Sequence, residues 1–204
     1  MKISHPIIAL TALLMISGCQ SSRKEGGSAR ESAGNMANAT SAVAVIRAVK
    51  GEAIVTGESG SGTPAQVGMK LIAGSRVETK EGGTVDLFLA ENGPVVRATE
   101  DTALTFKALE FTGESPKKVI QTRILLHKGR ILGNVKELGE ASVYEVSSRL
   151  ARFTTHGSQY DFNASGALTV VNGKAFYTPQ GGSVTLVRAG ETVNPPEPSP
   201  KRKF

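Results

Sequence analysis

Cys19 is the only cysteine of the 204-residue chain, and it follows an uncharged apolar run, Pro6–Ile16 (PIIALTALLMI). A lone thiol rules out an intrachain disulfide and a cysteine-based zinc cluster. A second group, His156, Ser158 and Asp161, falls within six residues and has the residue types of a charge-relay triad. A working triad needs its base hydrogen-bonded to both partners. Strand alternation would put 156 and 158 on one face and turn 161 away, and no Gly-x-Ser-x-Gly elbow is present. Gly60-Ser61-Gly62-Thr63-Pro64-Ala65 has the loosest dinucleotide spacing. No helical stripe follows to aim an N-terminus at a pyrophosphate, so the segment reads as a turn. No glycine pair leads into the Lys-Ser or Lys-Thr of a phosphate loop. Glu110, Glu114, Glu137 and Glu140 lie near loops, and nothing pairs two of them at glycosidase separation. Glu100, Asp101 and Asp86 lack the repeated oxygen ligands of a calcium loop. His127 is expected on the polar side of a strand. With three histidines in all, no catalytic residue, metal or cofactor is expected, and the chain reads as non-enzymatic.

The amino terminus frames Cys19. Lys2 supplies a positive start, and eleven apolar residues follow. A membrane-spanning helix takes about 20 residues, whereas the apolar part of a secretory signal takes about 7–15. Ile16-Ser17-Gly18-Cys19 resembles the lipobox of bacterial lipoproteins. That resemblance implies that residues 1–18 are a cleaved signal peptide and that Cys19 is lipidated. Gln20 stands where the inner-membrane retention signal would have Asp, so the resemblance favours the outer membrane, facing the periplasm. Two or more acyl chains give stable attachment where one is marginal, so the membrane is an expected partner through Cys19.

Residues 19–40 are the lipidated cysteine and a tether of Ser, Gly, Ala and Asn, too poor in large apolar groups to recover ordering entropy by burial. Residues 194–204 (NPPEPSPKRKF) are Pro-rich and end on a basic cluster, which reads as an extended exposed tail. The chain has 24 Lys and Arg against 18 Asp and Glu, a net charge of +6, scattered rather than gathered into a nucleic-acid stripe. Nucleic acid is therefore not an expected partner.

Between 41 and 193 the texture is that of short strands. Val43, Val45, Arg47 and Val49 alternate, as do Val85, Leu87 and Leu89 against Asp86. Leu104, Phe106 and Ala108 share a face, and so do Ile120, Thr122, Ile124 and Leu126. Further runs cover 143–146, 151–155, 159–163, 168–171, 175–178 and 184–188. Period-two alternation marks half-buried strands. Asn92-Gly93 and Asn172-Gly173 suit tight hairpins, while Gly82-Gly83, Gly166 and Gly181-Gly182 mark other turns. The expectation is an all-β domain, a sandwich or jelly-roll-like wrap of short antiparallel strands.

Five stretches in order carry a family resemblance. They are Val49-Gly51-Ala53-Val55, then Gly68–Thr79 (GMKLIAGSRVET) with Thr84–Leu89 (TVDLFL), and Leu125–Arg130 (LLHKGR). Tyr144-Val146 with Gly157–Phe162 (GSQYDF) and Val170-Gly173-Ala175 with Val187–Glu191 complete the set. The spacing resembles the FecR domain, a periplasmic β domain best known from iron-uptake signalling. Asn92-Gly93 stands where the family usually has Asp-Gly, and Gly157-Ser158 where it has Gly-Thr. The family's regulators also carry a cytoplasmic sigma-factor-binding segment, a transmembrane helix and a further periplasmic domain. None of these is read in this chain, so direct sigma-factor control is not expected. What the resemblance implies is a binding domain in the cell envelope with a signalling or assembly role and an envelope protein partner. Carbohydrate or peptidoglycan binding by the same domain is the alternative, with a cell-wall polymer as partner, and an unrecognised envelope enzyme is the third.

Overall fold

A computed structural model describes residues 40–41, 43–57, 59–89, 93–112 and 119–196. Cys19, the signal segment, most of the tether, Asn92 and the basic end of the tail lie outside the described residues. Those described contain strands and turns and no helix, so the domain is all-β.

The strands are β1 (Thr40–Ser41), β2 (Ala44–Lys50), β3 (Ala53–Thr56), β4 (Gly62–Pro64), β5 (Lys70–Leu71), β6 (Arg76–Thr79), β7 (Thr84–Leu89) and β8 (Val95–Ala98). They continue with β9 (Ala103–Thr112), β10 (Val119–Lys128), β11 (Arg130–Val135), β12 (Val143–Ser147), β13 (Ala151–Asn163), β14 (Leu168–Pro179), β15 (Thr185–Arg188) and β16 (Thr192–Val193). All join one hydrogen-bonded sheet, twelve of them along the path β4-β3-β6-β9-β10-β12-β13-β11-β8-β7-β2-β5, with β1 on β9 and β14 carrying β15 and β16. β12 and β11 share one edge of the long strand β13, and β14 takes its other edge. The path therefore has two arms, one ending in β12 and one beginning at β11. β10 and β12 run parallel.

Four of the passages from one arm to the other turn a corner on a residue with positive φ. These residues are Gly51 (66°) between β2 and β3, Gly82 (65°) between β6 and β7, Asp101 (50°) between β8 and β9, and Gly129 (80°) between β10 and β11. Side chains with a Cβ disfavour this region, Asp less than most. The corners also touch. A Cβ on Gly51 would fall 2.9 Å from Cα of Gly83, and one on Gly129 would fall 2.4 Å from Oγ1 of Thr102. The Thr79 hydroxyl donates to the Thr99 carbonyl at 2.5 Å, and the Thr102 amide donates back to the Thr79 hydroxyl at 2.9 Å. A sheet bent along such a seam curls over one face, and that face is the core.

Alternation selects the core. β7 buries Val85, Leu87 and Leu89, β10 buries Thr122, Ile124 and Leu126, and β13 buries Phe153, Tyr160 and Phe162. All of these but the buried Thr122 join one apolar cluster with residues of both arms. Phe153 meets Tyr160 edge-on at 4.7 Å and Phe162 at 5.2 Å. In β2 the buried residues are Ala44 and Ile46, not the valines on either side of them. Past the register shift between Ile46 and Ala48, Val49 packs against the same core.

Two joints differ from expectation. Asn172-Gly173 is no hairpin: it sits inside β14, where the φ of Gly173 is 83°. A Cβ there would fall 2.4 Å from the Gly157 carbonyl oxygen, so the glycine permits close strand approach. The runs 151–155 and 159–163 are likewise one strand, β13, as are 168–171 and 175–178 in β14. Register shifts between Thr154 and Gly157 and between Gln159 and Tyr160 let two long strands stay paired while they bend. Gly62–Pro64 also departs from a simple turn by pairing with β3 as an edge strand, where Pro is tolerated.

Candidate functional site

The β13 bulge decides what the three triad-like residues can do. Thr154 pairs with Phe176 and Gly157 with Lys174, so β13 carries one residue more than β14 across this interval. The Gly157 amide freed by the shift donates to Oγ1 of Thr155 at 3.1 Å, and that hydroxyl donates to the Lys174 carbonyl at 2.8 Å. Past the bulge the alternation resumes out of phase. Ser158 turns inward beside Tyr160, 4% exposed, while His156 is exposed. Contrary to plain alternation, residues 156 and 158 therefore do not share a face. Asp161 lies outward and accepts from Nε of Arg130 at 2.7 Å, so its carboxylate is committed to a guanidinium. That ion pair holds the Arg130 guanidinium above its ordinary pKa. The three groups cannot relay a proton. Ser158 Oγ is buried without a hydrogen-bond partner among the described residues.

His127 is exposed near the end of β10, as its strand position suggested, and its Nε2 lies 2.9 Å from the Thr105 hydroxyl. Partial burial, with Arg76 and Lys107 nearby, pushes its pKa below the ordinary value. The hydrogen bond from Arg76 holds the Glu78 carboxyl low, as Nε of Arg76 donates to Oε1 at 2.8 Å. Asp86 and Arg97 face one another across β7 and β8 in a two-pronged pair of 2.6 and 2.7 Å. Glu137 and Glu140 lie exposed on the loop after β11, and Glu110 is exposed on β9. Glu114 lies outside the described residues. Among the described residues no three His, Cys, Asp or Glu side chains gather as metal ligands.

What the sequence reading did not assemble is a row on the outer face of β11, β13 and β14. Asn134 pairs with Gln159, and Gln159 pairs with Asn172. All three are exposed. Asparagine is depleted in strands, yet three carboxamides stand side by side across three strands. The next row runs Gly157, Lys174, Arg188 across β13, β14 and β15, and the row beyond it Thr154, Phe176, Leu186. Among the described residues Lys174 and Arg188 have no ion-pair partner. Phe176 is 42% exposed.

The loop after β11 walls this area on the other side. The Leu138 amide donates to the His156 carbonyl at 2.6 Å, and a Cβ on Gly157 would meet Cα of Glu137 at 3.4 Å. Gly157 thus forms a low floor between that loop and Lys174. The result is a groove of about 1120 Å³ lined by carboxamides, two cations, two loop glutamates and the apolar pair Phe176 and Leu186. No family model, curated protein or solved structure matches this chain. The FecR resemblance accordingly rests on its quoted residues, several of which are structural. Gly129 makes a corner, Tyr144, Val146, Tyr160 and Phe162 fill the core, and the Gly74 amide (φ 88°) donates to the Phe106 carbonyl at 2.8 Å.

The signal for the groove was present in the sequence only as isolated polar residues inside strands. Their cross-strand register, which depends on two bulges, is what sets them side by side.

Proposed function

We propose that the chain is a non-enzymatic lipoprotein, anchored through Cys19, whose FecR-like β domain binds another component of the cell envelope in a signalling or assembly role. The membrane is the bacterial outer membrane and the domain faces the periplasm. The observation that carries the binding reading is the in-register carboxamide row of Asn134, Gln159 and Asn172, bordered by Lys174 and Arg188. Carboxamides donate and accept hydrogen bonds, and cations without an internal partner are free to meet a ligand's carboxylate. Ligand sites combine apolar area with a few placed polar groups, which describes this groove. Separation of His156, Ser158 and Asp161 supports binding without turnover.

Carbohydrate or peptidoglycan binding is the second reading, favoured by the exposed ring of Phe176 in the same groove as the carboxamide row. Incubating the full chain with intact envelope and, in parallel, with purified cell-wall polymer separates the two. Capture from envelope alone supports a protein partner, and sedimentation with purified polymer supports the second reading. Turnover of envelope material by the pure chain would overturn both.

A further inference from the structure

The charges of the groove are sorted by side. Gly157 lies at the centre of one row across the strands. On its β11 side the loop presents Glu137 and Glu140, and on its β14 side Lys174 and Arg188 stand in register on successive strands. Beside this row runs the carboxamide row, and on the other flank lie Phe176 and Leu186. A ligand lying across the strands over Gly157 would meet carboxylates at one end and cations at the other. Along its length it would face groups that pair with amides on one side and an apolar strip on the other.

We infer that the groove binds a short peptide carrying a free carboxylate and a free amine. The carboxylate lies at Lys174 and Arg188, the amine at Glu137 and Glu140, and the peptide amides along Asn134, Gln159 and Asn172. The length follows from the sheet. From β11 to β15 there are three strand intervals of about 4.8 Å, or about 14 Å. An extended chain covers about 3.3–3.6 Å per residue, so about four residues span the charges. Gly157 contributes by having no side chain in the path. The inference rests on the reading of this face as the binding surface and names its ligand class. Free peptides offer this chemistry, and so do the short peptides borne by a cell-wall polymer, where a diamino residue supplies the amine.

The test uses the full chain in detergent, titrated with tetra-alanine with both ends free, and with the same peptide amidated at its carboxyl end or acetylated at its amine. Saturable binding is expected for the free peptide, with each cap weakening it about tenfold or more, the loss of a charge-assisted hydrogen bond. Lys174→Ala with Arg188→Ala should reproduce amidation, and Glu137→Gln with Glu140→Gln should reproduce acetylation. All four positions are exposed, and an unchanged melting temperature confirms that the fold is intact. A soluble wall fragment bearing its peptide is the competitor that distinguishes the sources. Competition by it assigns the wall peptide, and its failure beside binding of tetra-alanine assigns free peptides. Absence of saturable binding to either, or binding indifferent to both caps, overturns the inference. Capture of intact envelope alongside that result leaves the envelope-binding reading standing, and loss of capture as well removes both.

Discussion

Gly133 lies directly beneath the ring of Tyr160: a Cβ on the glycine would fall 2.1 Å from Cζ of the tyrosine. The two residues are register partners on β11 and β13. The ring therefore occupies the space that any side chain at 133 would need, and the fully buried tyrosine cannot swing out of the core. Overpacking a close-packed site costs about 1–3 kcal/mol or more. Gly133→Ala should lower the melting temperature by about 2–4 °C for each kcal/mol lost. Gly139→Ala, at a position with open space around it, should leave the melting temperature within a degree or so of wild type (about 0.5 kcal/mol or less for surface changes).

The Tyr160 hydroxyl lies 2.6 Å from that of Tyr144, and both groups are buried. Replacing either tyrosine alone by Phe strands the other hydroxyl, at about 1–3 kcal/mol, whereas replacing both removes the need for a partner. The double variant Tyr144→Phe with Tyr160→Phe should therefore lose less than the sum of the single losses in denaturant unfolding. Additive losses would show that the hydroxyls do not depend on one another.

Burial raises the pKa of both tyrosines above the ordinary value. Folding therefore favours their neutral forms. Their stabilising contribution is complete below the unfolded value, about 10. It is lost as pH rises from there toward the folded values. Wild type should become progressively easier to unfold above about pH 10, and the double Phe variant should show a shallower decline.

Ser158→Ala should be neutral or stabilising, by up to about 1 kcal/mol. The hydroxyl is buried without a partner among the described residues, and a methyl removes that desolvation cost. A clear loss of stability in thermal unfolding would show that the hydroxyl has a partner in solution.

Much of the strand content was legible because its signal is local. Val85, Leu87 and Leu89 lie on one buried face, and Gly82-Gly83 and Gly181-Gly182 stand at turns, as alternation and glycine placement require. The errors fall where backbone contacts between distant residues override the local pattern. Asn172-Gly173 has the composition of a hairpin, but Gly173 is there because Gly157 passes against it. Alternation predicted a shared face for 156 and 158, and a bulge fixed by Thr155 and Lys174 separates them. The groove was illegible for the same reason. Asn134, Gln159 and Asn172 are far apart in sequence and become one row only once the registers of three strands are set.

Cys19 lies outside the described residues, so its role is testable in cells alone. Wild type should fractionate with membranes and incorporate labelled fatty acid, and Cys19→Ser should do neither. Recovery of wild type as unmodified soluble protein would remove the anchor from the account.

If the outer face of β11, β13 and β14 is the binding surface, removing its carboxamides must weaken capture by the envelope. The direct measurement is co-sedimentation of the full chain with isolated cell envelope, comparing the chain with its triple variant Asn134→Ala, Gln159→Ala, Asn172→Ala, both carrying Cys19→Ser so that no lipid anchor holds them to the membrane. The three carboxamide side chains are exposed, so melting temperature should be little changed. Three hydrogen-bonding groups at about 0.5–1.5 kcal/mol each predict at least a tenfold loss of bound protein at limiting envelope. Undiminished capture by a folded triple variant would contradict the account and place recognition elsewhere on the chain.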